Sequence, residues 1–286
     1  MKVVVVEHEY ESRSDNTLRI VPIGDVHRGN PWMEEERFYK TLDWVAENPC
    51  YVILMGDYGE CINAKDPRHD YNALEGKYNT PDKQYRKALE DFERIKDKII
   101  CVLDGNHEYA FWRRHNHNYT NWLATDLGAP YTGISAYIRF KLKRKSPAKR
   151  RPSTHILDVY AHHGWSGGRT DGYQVKVIHD LRNIFPLANL YLMGHTHRLG
   201  EALPKTVLHV DRRTNRIREF TQHFYFTGSY IKGHEEGVGS YVEARALPPT
   251  MLGSPVIEVR PNRIDSRRDK SLPVFSTRYL TMDWLT

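Results

Sequence analysis

Between residues 17 and 107 an apolar run ends three times in glycine and a residue able to bind a cation, which restricts this chain to few architectures. Thr17–Gly24 leads into Asp25-Val26-His27. Val52-Ile53-Leu54-Met55-Gly56 leads into Asp57, and Ile99–Leu103 into Asp104-Gly105-Asn106-His107. Short runs rich in Val, Ile and Leu read as strands buried on both faces. Helical spacing fills the intervals, with Phe38, Leu42 and Val45 inside 33–47 and Tyr85, Leu89, Phe92 and Ile95 inside 82–97. Glu34-Glu35-Glu36 stands in the first turn of the earlier segment, where the helix dipole favours anions. Strand and helix in alternation predict an α/β sheet, and such sheets gather ligands at the carboxyl ends of their strands.

The rest of the chain extends this pattern. Residues 61–81, with Pro67, Gly76 and Pro81, read as a long loop over the strand ends, and 109–126 as an aromatic-rich helix. Ile134–Lys143 and His155–Ala161 alternate as strands, joined by a hairpin loop whose residues 143–151 include six basic side chains. A helix with Val175, Ile178, Leu181 and Ile184-Phe185 on one side follows His162-His163-Gly164. The strand Ala188–Met193 then ends at Gly194-His195-Thr196-His197. Val207–Val210 and Arg218–Thr227 read as antiparallel strands and Pro255–Arg260 as a last one. The final residues carry no clear pattern.

Composition sets broad limits. The chain has 286 residues, 40% hydrophobic and 27% charged, in the range of water-soluble globular proteins, and no apolar run is long enough to span a membrane. The apolar start, Val3–Val6, is too short for a signal-peptide core, so it reads as a strand and the protein as cytoplasmic. The expectation is one domain over 1–286, with a motif core at 17–230 and an extension at 231–286. Three cysteines outside any CxxC pair argue against a disulfide framework, and Cys50 and Cys101 read as core residues. A net charge of +6 favours anionic partners only mildly.

The polar residues at the strand ends share a chemistry. Asp25 and His27, two apart on extended chain, point to one side and can grip one cation, and His195 and His197 repeat that spacing. Asp57 at a buried strand end is poorly solvated and needs a positive partner. Two divalent cations about 3.5–4 Å apart, bridged by a carboxylate, can activate water and clamp a phosphoryl group. Carboxylate oxygens with imidazoles suit Mn, Fe, Zn or Co. Alone, each motif has an ordinary reading: a strand-end Asp or Asn caps turns and helices, and a histidine often satisfies a core hydrogen bond. At His162-His163 the spacing leaves both candidates open.

Asp25-x-His27, Gly56-Asp57-x-x-Glu60, Gly105-Asn106-His107-Glu108, His163-Gly164 and Gly194-His195-x-His197 occur in the order typical of the calcineurin-like metallophosphoesterases, which the chain resembles from residue 24 to 197. Gly228-Ser229 resembles a later element of that family. The resemblance implies an α/β fold, a four-layer αββα sandwich of two mixed β-sheets with metals at one edge. It implies that Asp25, His27 and His197 hold one metal, that Asn106, His163 and His195 hold the other, and that Asp57 bridges. His163, followed by glycine as in the family, is then the ligand of its pair. The resemblance further implies two divalent ions, Mn first, with Fe, Zn, Ni, Co or Mg also compatible. A hydroxide between them would attack a phosphate mono- or diester. His107 becomes leaving-group acid or transition-state stabiliser, oriented by Glu60, where the family more often has Asp. A carboxylate accepting from His107 would raise its pKa and keep it protonated.

Arg113 and Arg114 are candidate substrate-phosphate ligands, since guanidinium forks match phosphate, and equally candidate solvated helix residues. The basic loop at 143–151 could follow a nucleic-acid backbone, and Tyr109, Phe111, Trp112, Tyr119 and Trp122 could stack bases or pack a core. Cys61 follows Glu60 where the protein serine/threonine phosphatase branch carries Arg, which weighs against that branch. Nucleotide phosphodiesterase, broad phosphomonoesterase and a nuclease of the repair-exonuclease kind remain. The rivals from other classes are a non-catalytic metal-binding scaffold and a nucleic-acid-binding module. His107, superfluous for metal binding, opposes the scaffold. The absence of a cysteine-rich closed site opposes structural zinc.

Overall fold

In a computed structural model of the chain, the described residues are 1–11, 17–62, 76–145, 154–165, 168, 170–211, 214–234, 241–244, 246, 248–260 and 274–281. The strands are β1 (Lys2–Glu11), β2 (Leu18–Ile23), β3 (Tyr51–Leu54), β4 (Ile99–Leu103), β5 (Tyr131–Gly133), β6 (Ser135–Lys145), β7 (Thr154–His162), β8 (Leu190–Met193), β9 (Leu199–Asp211), β10 (Arg216–Thr227), β11 (Ser254–Arg260) and β12 (Val274–Leu280). The longer helices are α1 (Glu35–Glu47), α2 (Pro81–Glu93), α3 (Asn106–His115), α4 (Tyr119–Asp126) and α5 (Asp171–Asp180). One six-stranded sheet has the order β12-β11-β2-β3-β4-β5 and the other β1-β6-β7-β8-β10-β9. Both are mixed. Strands β2 to β5 run parallel beside antiparallel β11 and β12, and β7, β8 and β10 run parallel between antiparallel neighbours β6 and β9.

Alternation along the strands builds the layers. Ile20, Ile53, Cys101 and Leu103 face Ile138, Phe140, Val159 and Leu192 of the opposite sheet in one buried cluster. Their neighbours Val21, Ile23, Val52, Leu54 and Val102 face outward and are covered by Phe38, Leu42 and Val45 of α1, Ala88 and Phe92 of α2 and Leu123 of α4. On the other sheet Tyr160, Tyr191, Met193 and Phe224 pack under Val177 and Ile178 of α5. The result is helix, sheet, sheet, helix. Both faces of the β3 run are therefore buried, each side chain contributing about 1.5–3 kcal/mol, which is why its sequence is continuously apolar rather than alternating.

Several boundaries differ from the sequence reading. The segment 82–97 ends its helix at Glu93, and Ile95 is buried in the turn beyond it. The segment 109–126 is two helices: α3 stops where Asn116 takes a left-handed conformation (φ 56°), which an asparagine tolerates more readily than most residues. Ile184 is 51% exposed, because the chain tightens into a short 3-10 turn after α5. Strands β5 and β12 have no clear sequence signal, the first for its three residues and the second for its broken alternation. Of the expected loops, residues 63–75 and 146–151 lie outside the described residues. No described helix is long and apolar enough to cross a membrane, and none of the three cysteines forms a disulfide among the described residues.

Candidate metal centre

The parallel strands of both sheets end at one edge of the sandwich, and the predicted polar residues meet there. Asp25 follows β2, Asp57 follows β3, and Asn106 opens α3 after β4. His163 follows β7, and His195 and His197 follow β8. Asp25, His27 and His197 offer ligand atoms within 4.8 Å of one another, as do Asp57, His163 and His195, and His27, Asp57 and His107. His27 Nε2 lies 3.2 Å from His197 Nε2 and 3.7 Å from Asp57 Oδ2. The same Asp57 oxygen is 3.4 Å from His163 Nε2. Asn106 Oδ1 is 2.9 Å from His163 Nε2 and 2.7 Å from His195 Nδ1. His163 Nδ1 donates to the Met55 carbonyl at 2.8 Å, which leaves Nε2 facing the cluster.

The backbone here is not extended. Asp25, His27, Asp57, His195 and His197 have φ of 49°, 54°, 52°, 66° and 56°. Asp25 and His27 therefore share one ligand group through these turns rather than through extended chain, and His195 and His197 fall in two different groups. Each such residue costs on the order of 1–3 kcal/mol and persists only where its surroundings over-determine it. Those surroundings are backbone hydrogen bonds between the turns: Asp25 N to Gly56 O (2.9 Å), His27 N to Asp57 O (3.0 Å) and Arg28 N to Tyr58 O (2.8 Å). Across the sandwich the His195 N–H donates to the Asp25 carboxylate at 3.0 Å. Ser229 Oγ donates to the Asp25 carbonyl at 3.1 Å, which gives the Gly228-Ser229 turn its place. Gly194 permits this approach, since a Cβ there would lie 2.8 Å from Asp25 Oδ2.

Charge in the cluster is balanced between buried acids and imidazoles. Burial pushes the Asp25 carboxyl up to about 7, with Asp57 adding to the rise. Burial also raises Asp57, but His163 and His107 hold it well below the usual carboxylate range. Burial works against charged His27 and His163, yet the carboxylates beside them lift the two to about 9 and about 10. His195 is held down to about 4 by burial and by His163. The acids thus call for positive charge within bonding reach, and a divalent cation would displace the protons that supply it. The donor set, carboxylate and amide oxygens with imidazole nitrogens, fits a first-row divalent ion.

Other candidates fall differently. His162 accepts from the Gly164 N–H at 2.8 Å and its ring meets Trp165, outside the three ligand groups. Arg113 and Arg114 occupy the exposed last turn of α3. Seven residues of helix carry Arg113 about 10 Å along the axis from Asn106. Arg113 contacts the Tyr109 hydroxyl at 3.4 Å. Phe111 and Tyr119 are stacked in a buried cluster, whereas Trp122 is 43% exposed. Lys143–Lys145 end β6 at the side of the sheet opposite the cluster, since β6 runs antiparallel to β7 and β7 leads into His163. The length of β7 separates the two by roughly 26 Å. There Lys143 and Lys145 pair with Glu7 and Glu9 of β1.

Glu60 lies between two imidazoles. Its carboxylate Oε1 is 3.2 Å from His27 Nδ1, whereas Oε2 is 3.5 Å from His107 Nδ1. His107 Nδ1 donates instead to the Glu60 main-chain carbonyl at 2.8 Å. Burial raises the Glu60 carboxyl, but His27, His107 and Asn30 bring it down to about 2.

Two residues of weight here had no assigned role in the sequence. Glu108, 3% exposed, accepts from the backbone N–H of Asp57 (3.0 Å), Tyr58 (2.7 Å), Gly59 (3.1 Å) and Gly105 (3.2 Å). It clamps the Asp57 turn to the start of α3. Gly105 lets the two touch, because a Cβ there would fall 2.0 Å from Asp57 Oδ1. Arg28, buried beside His27, bonds Asp91 at 2.8 Å and Glu35 at 2.7 Å between the rings of Phe38 and Tyr39. An inward acid in a helix's first turn has the sequence signature of a dipole-compensating surface acid, so only its burial distinguishes Glu108. Glu108→Gln turns an amide donor toward backbone donors, at about 1–3 kcal/mol for each unmet group. The melting temperature is expected to fall by about 6–12 °C. The comparison is made at pH 8, above the value near 7 to which burial and Asp57 raise this carboxyl, so that the charged form is tested. A change under about 2 °C would remove Glu108 from the scaffold of the site.

A sequence model described as calcineurin-like phosphoesterase matches residues 18–199, more than half of the chain. No curated protein matches. Among solved structures, zinc-complexed Vps29 of Entamoeba histolytica aligns over 92% of this chain and 100% of its own, at 10% identity and TM-score 0.39. A conserved protein of Streptococcus pneumoniae TIGR4, described as a predicted phosphoesterase, aligns over 93% of this chain and 100% of its own, at 11% identity and TM-score 0.33.

Proposed function

The chain belongs to the calcineurin-like phosphoesterase family, and from that premise we propose that it hydrolyses phosphate mono- or diesters with two divalent cations. The observation that carries the reading is the position of Asp57, whose Oδ2 stands 3.7 Å from a nitrogen of one ligand group and 3.4 Å from a nitrogen of the other. Asp25, His27 and His197 would hold one ion, Asn106, His163 and His195 the other, and Asp57 both. Bound there, the ions would supply Lewis-acid charge to phosphoryl oxygens and lower the pKa of a nucleophilic water.

The side chains do the remaining work. His163, fixed through Met55, and Asn106, fixed at the first residue of α3, orient one half of the site; Asp25, fixed by the His195 N–H, orients the other. His107 spends its Nδ1 proton on the Glu60 carbonyl and so keeps Nε2 for the substrate, as donor to a phosphoryl or leaving-group oxygen when protonated. The substrate class is a compact phosphate ester. A nucleic acid held by Lys143–Lys145 would have its contacted phosphates at the end of the sheet away from the cluster.

The test is hydrolysis with added Mn of a chromogenic monoester, a chromogenic diester, cyclic nucleotides and single- and double-stranded DNA. Turnover of a small ester supports the reading. Cleavage restricted to DNA moves the assignment to a nuclease, and metal binding with no turnover on any substrate moves it to a scaffold.

A further inference from the structure

We infer that the Glu60 carboxylate is the positioning partner of His27 rather than of His107, an inference that rests on the two-cation reading above. A ring nitrogen carries one proton, and His107 Nδ1 has two acceptors within reach, the Glu60 carbonyl at 2.8 Å and carboxylate Oε2 at 3.5 Å. Hydrogen-bond strength falls steeply over that range, so the main chain takes the proton. The carboxylate is left to its other neighbours. Oε1 accepts from Asn30 Nδ2 at 2.7 Å and faces His27 Nδ1 at 3.2 Å.

The arrangement around Oε1 is built rather than incidental. Asn30 is held by the Trp32 N–H, which donates to its Oδ1 at 2.9 Å and so turns the amide nitrogen toward Glu60. The Glu60 N–H donates to the Arg28 carbonyl at 3.0 Å, tying its backbone to the loop that carries His27. His27 then has Nδ1 in ion-pair reach of a 6%-exposed carboxylate, without hydrogen-bond alignment before a metal draws the ring into place, and Nε2 toward Asp57, Asp25 and His197. A carboxylate on one imidazole nitrogen orients the ring and makes the other a better ligand, and loss of such a partner typically weakens metal binding about 10- to 100-fold. Glu60 thereby joins two functions through different atoms: its side chain tunes a metal ligand, and its peptide oxygen holds His107.

The two assignments for Glu60 predict opposite kinetics. In Glu60→Gln the amide keeps its shape and its acceptor toward Asn30 but loses the charge facing His27, while the main-chain carbonyl is untouched. Calorimetric titration of metal-free protein with Mn is expected to show two binding events in the parent, and in the variant one of them weakened about 10- to 100-fold. Hydrolysis lost at low Mn should return at saturating Mn with kcat unchanged. Asn30→Ala, at a half-buried position, should weaken the same event by a smaller factor. Unchanged affinities with kcat lowered at saturating Mn would return the carboxylate to His107 and overturn the inference. A parent protein that binds no Mn would overturn the two-cation reading itself, and this assignment with it.

Discussion

Asp57→Asn is expected to lower the hydrolytic rate at least about a thousandfold, equivalent to about 4 kcal/mol of transition-state stabilisation, while the protein stays folded. The asparagine matches the aspartate in shape and can still accept the His107 N–H on Oδ1, a contact of 3.0 Å in the parent. What disappears is the charge on the oxygen that stands between His27 and His163. Both ligand groups lose it together, so metal content should fall at both sites rather than one. Stability of the metal-free protein should fall, because His163 and His107 hold the Asp57 carboxyl well below its usual range, so the folded state favours the charge that the variant lacks. Metal analysis, ester hydrolysis and calorimetric melting on the same preparation check the three statements. Full turnover in the variant would show that Asp57 does not bridge.

The residues that converge around Asp57 were legible in the sequence because the strands that deliver them are buried on both faces. A doubly covered strand has to be continuously apolar, so Val52–Met55 and Ile99–Leu103 stand out, and glycine with a polar residue marks the point where each chain emerges. The sheet edges were less legible. Nearly every residue of β9 is partly or fully exposed, and its sequence shows the strand only around Val207–Val210. The conformation of the turns was not legible at all. A left-handed aspartate or histidine is imposed by hydrogen bonds from another loop, such as Gly56 O and Asp57 O on residues 25–27, and nothing local encodes them. The same holds for the side-chain aims of Glu60 and Glu108. A glutamate's reach allows several partners, and the packing of Asn30 and Gly105 selects among them. Chemistry at strand ends is thus read from composition, and the partner of each buried acid from packing.

His107→Asn is expected to reduce kcat by about 10²- to 10⁴-fold with metal content unchanged, the size usual for loss of a positioned proton donor. Its ring stands edge-on to His27, with centroids 4.8 Å apart, and its side chain is 16% exposed, so it lines the open side of the cluster. Its ligand atom also falls in the group with His27 and Asp57, which makes a metal-ligand role the competing assignment. The leaving group separates the two. A nitrophenolate departs without a proton, whereas an alkoxide needs one in the transition state. A general acid should therefore matter far more for an alkyl ester than for a nitrophenyl ester, and the variant's deficit should grow with the pKa of the leaving alcohol. A metal ligand acts on the charge of the phosphoryl oxygens, common to both substrates, and its loss should depress the two rates alike and lower metal content as well. Equal deficits with depleted metal would make His107 a ligand, and the proton donor would have to be sought elsewhere on the rim.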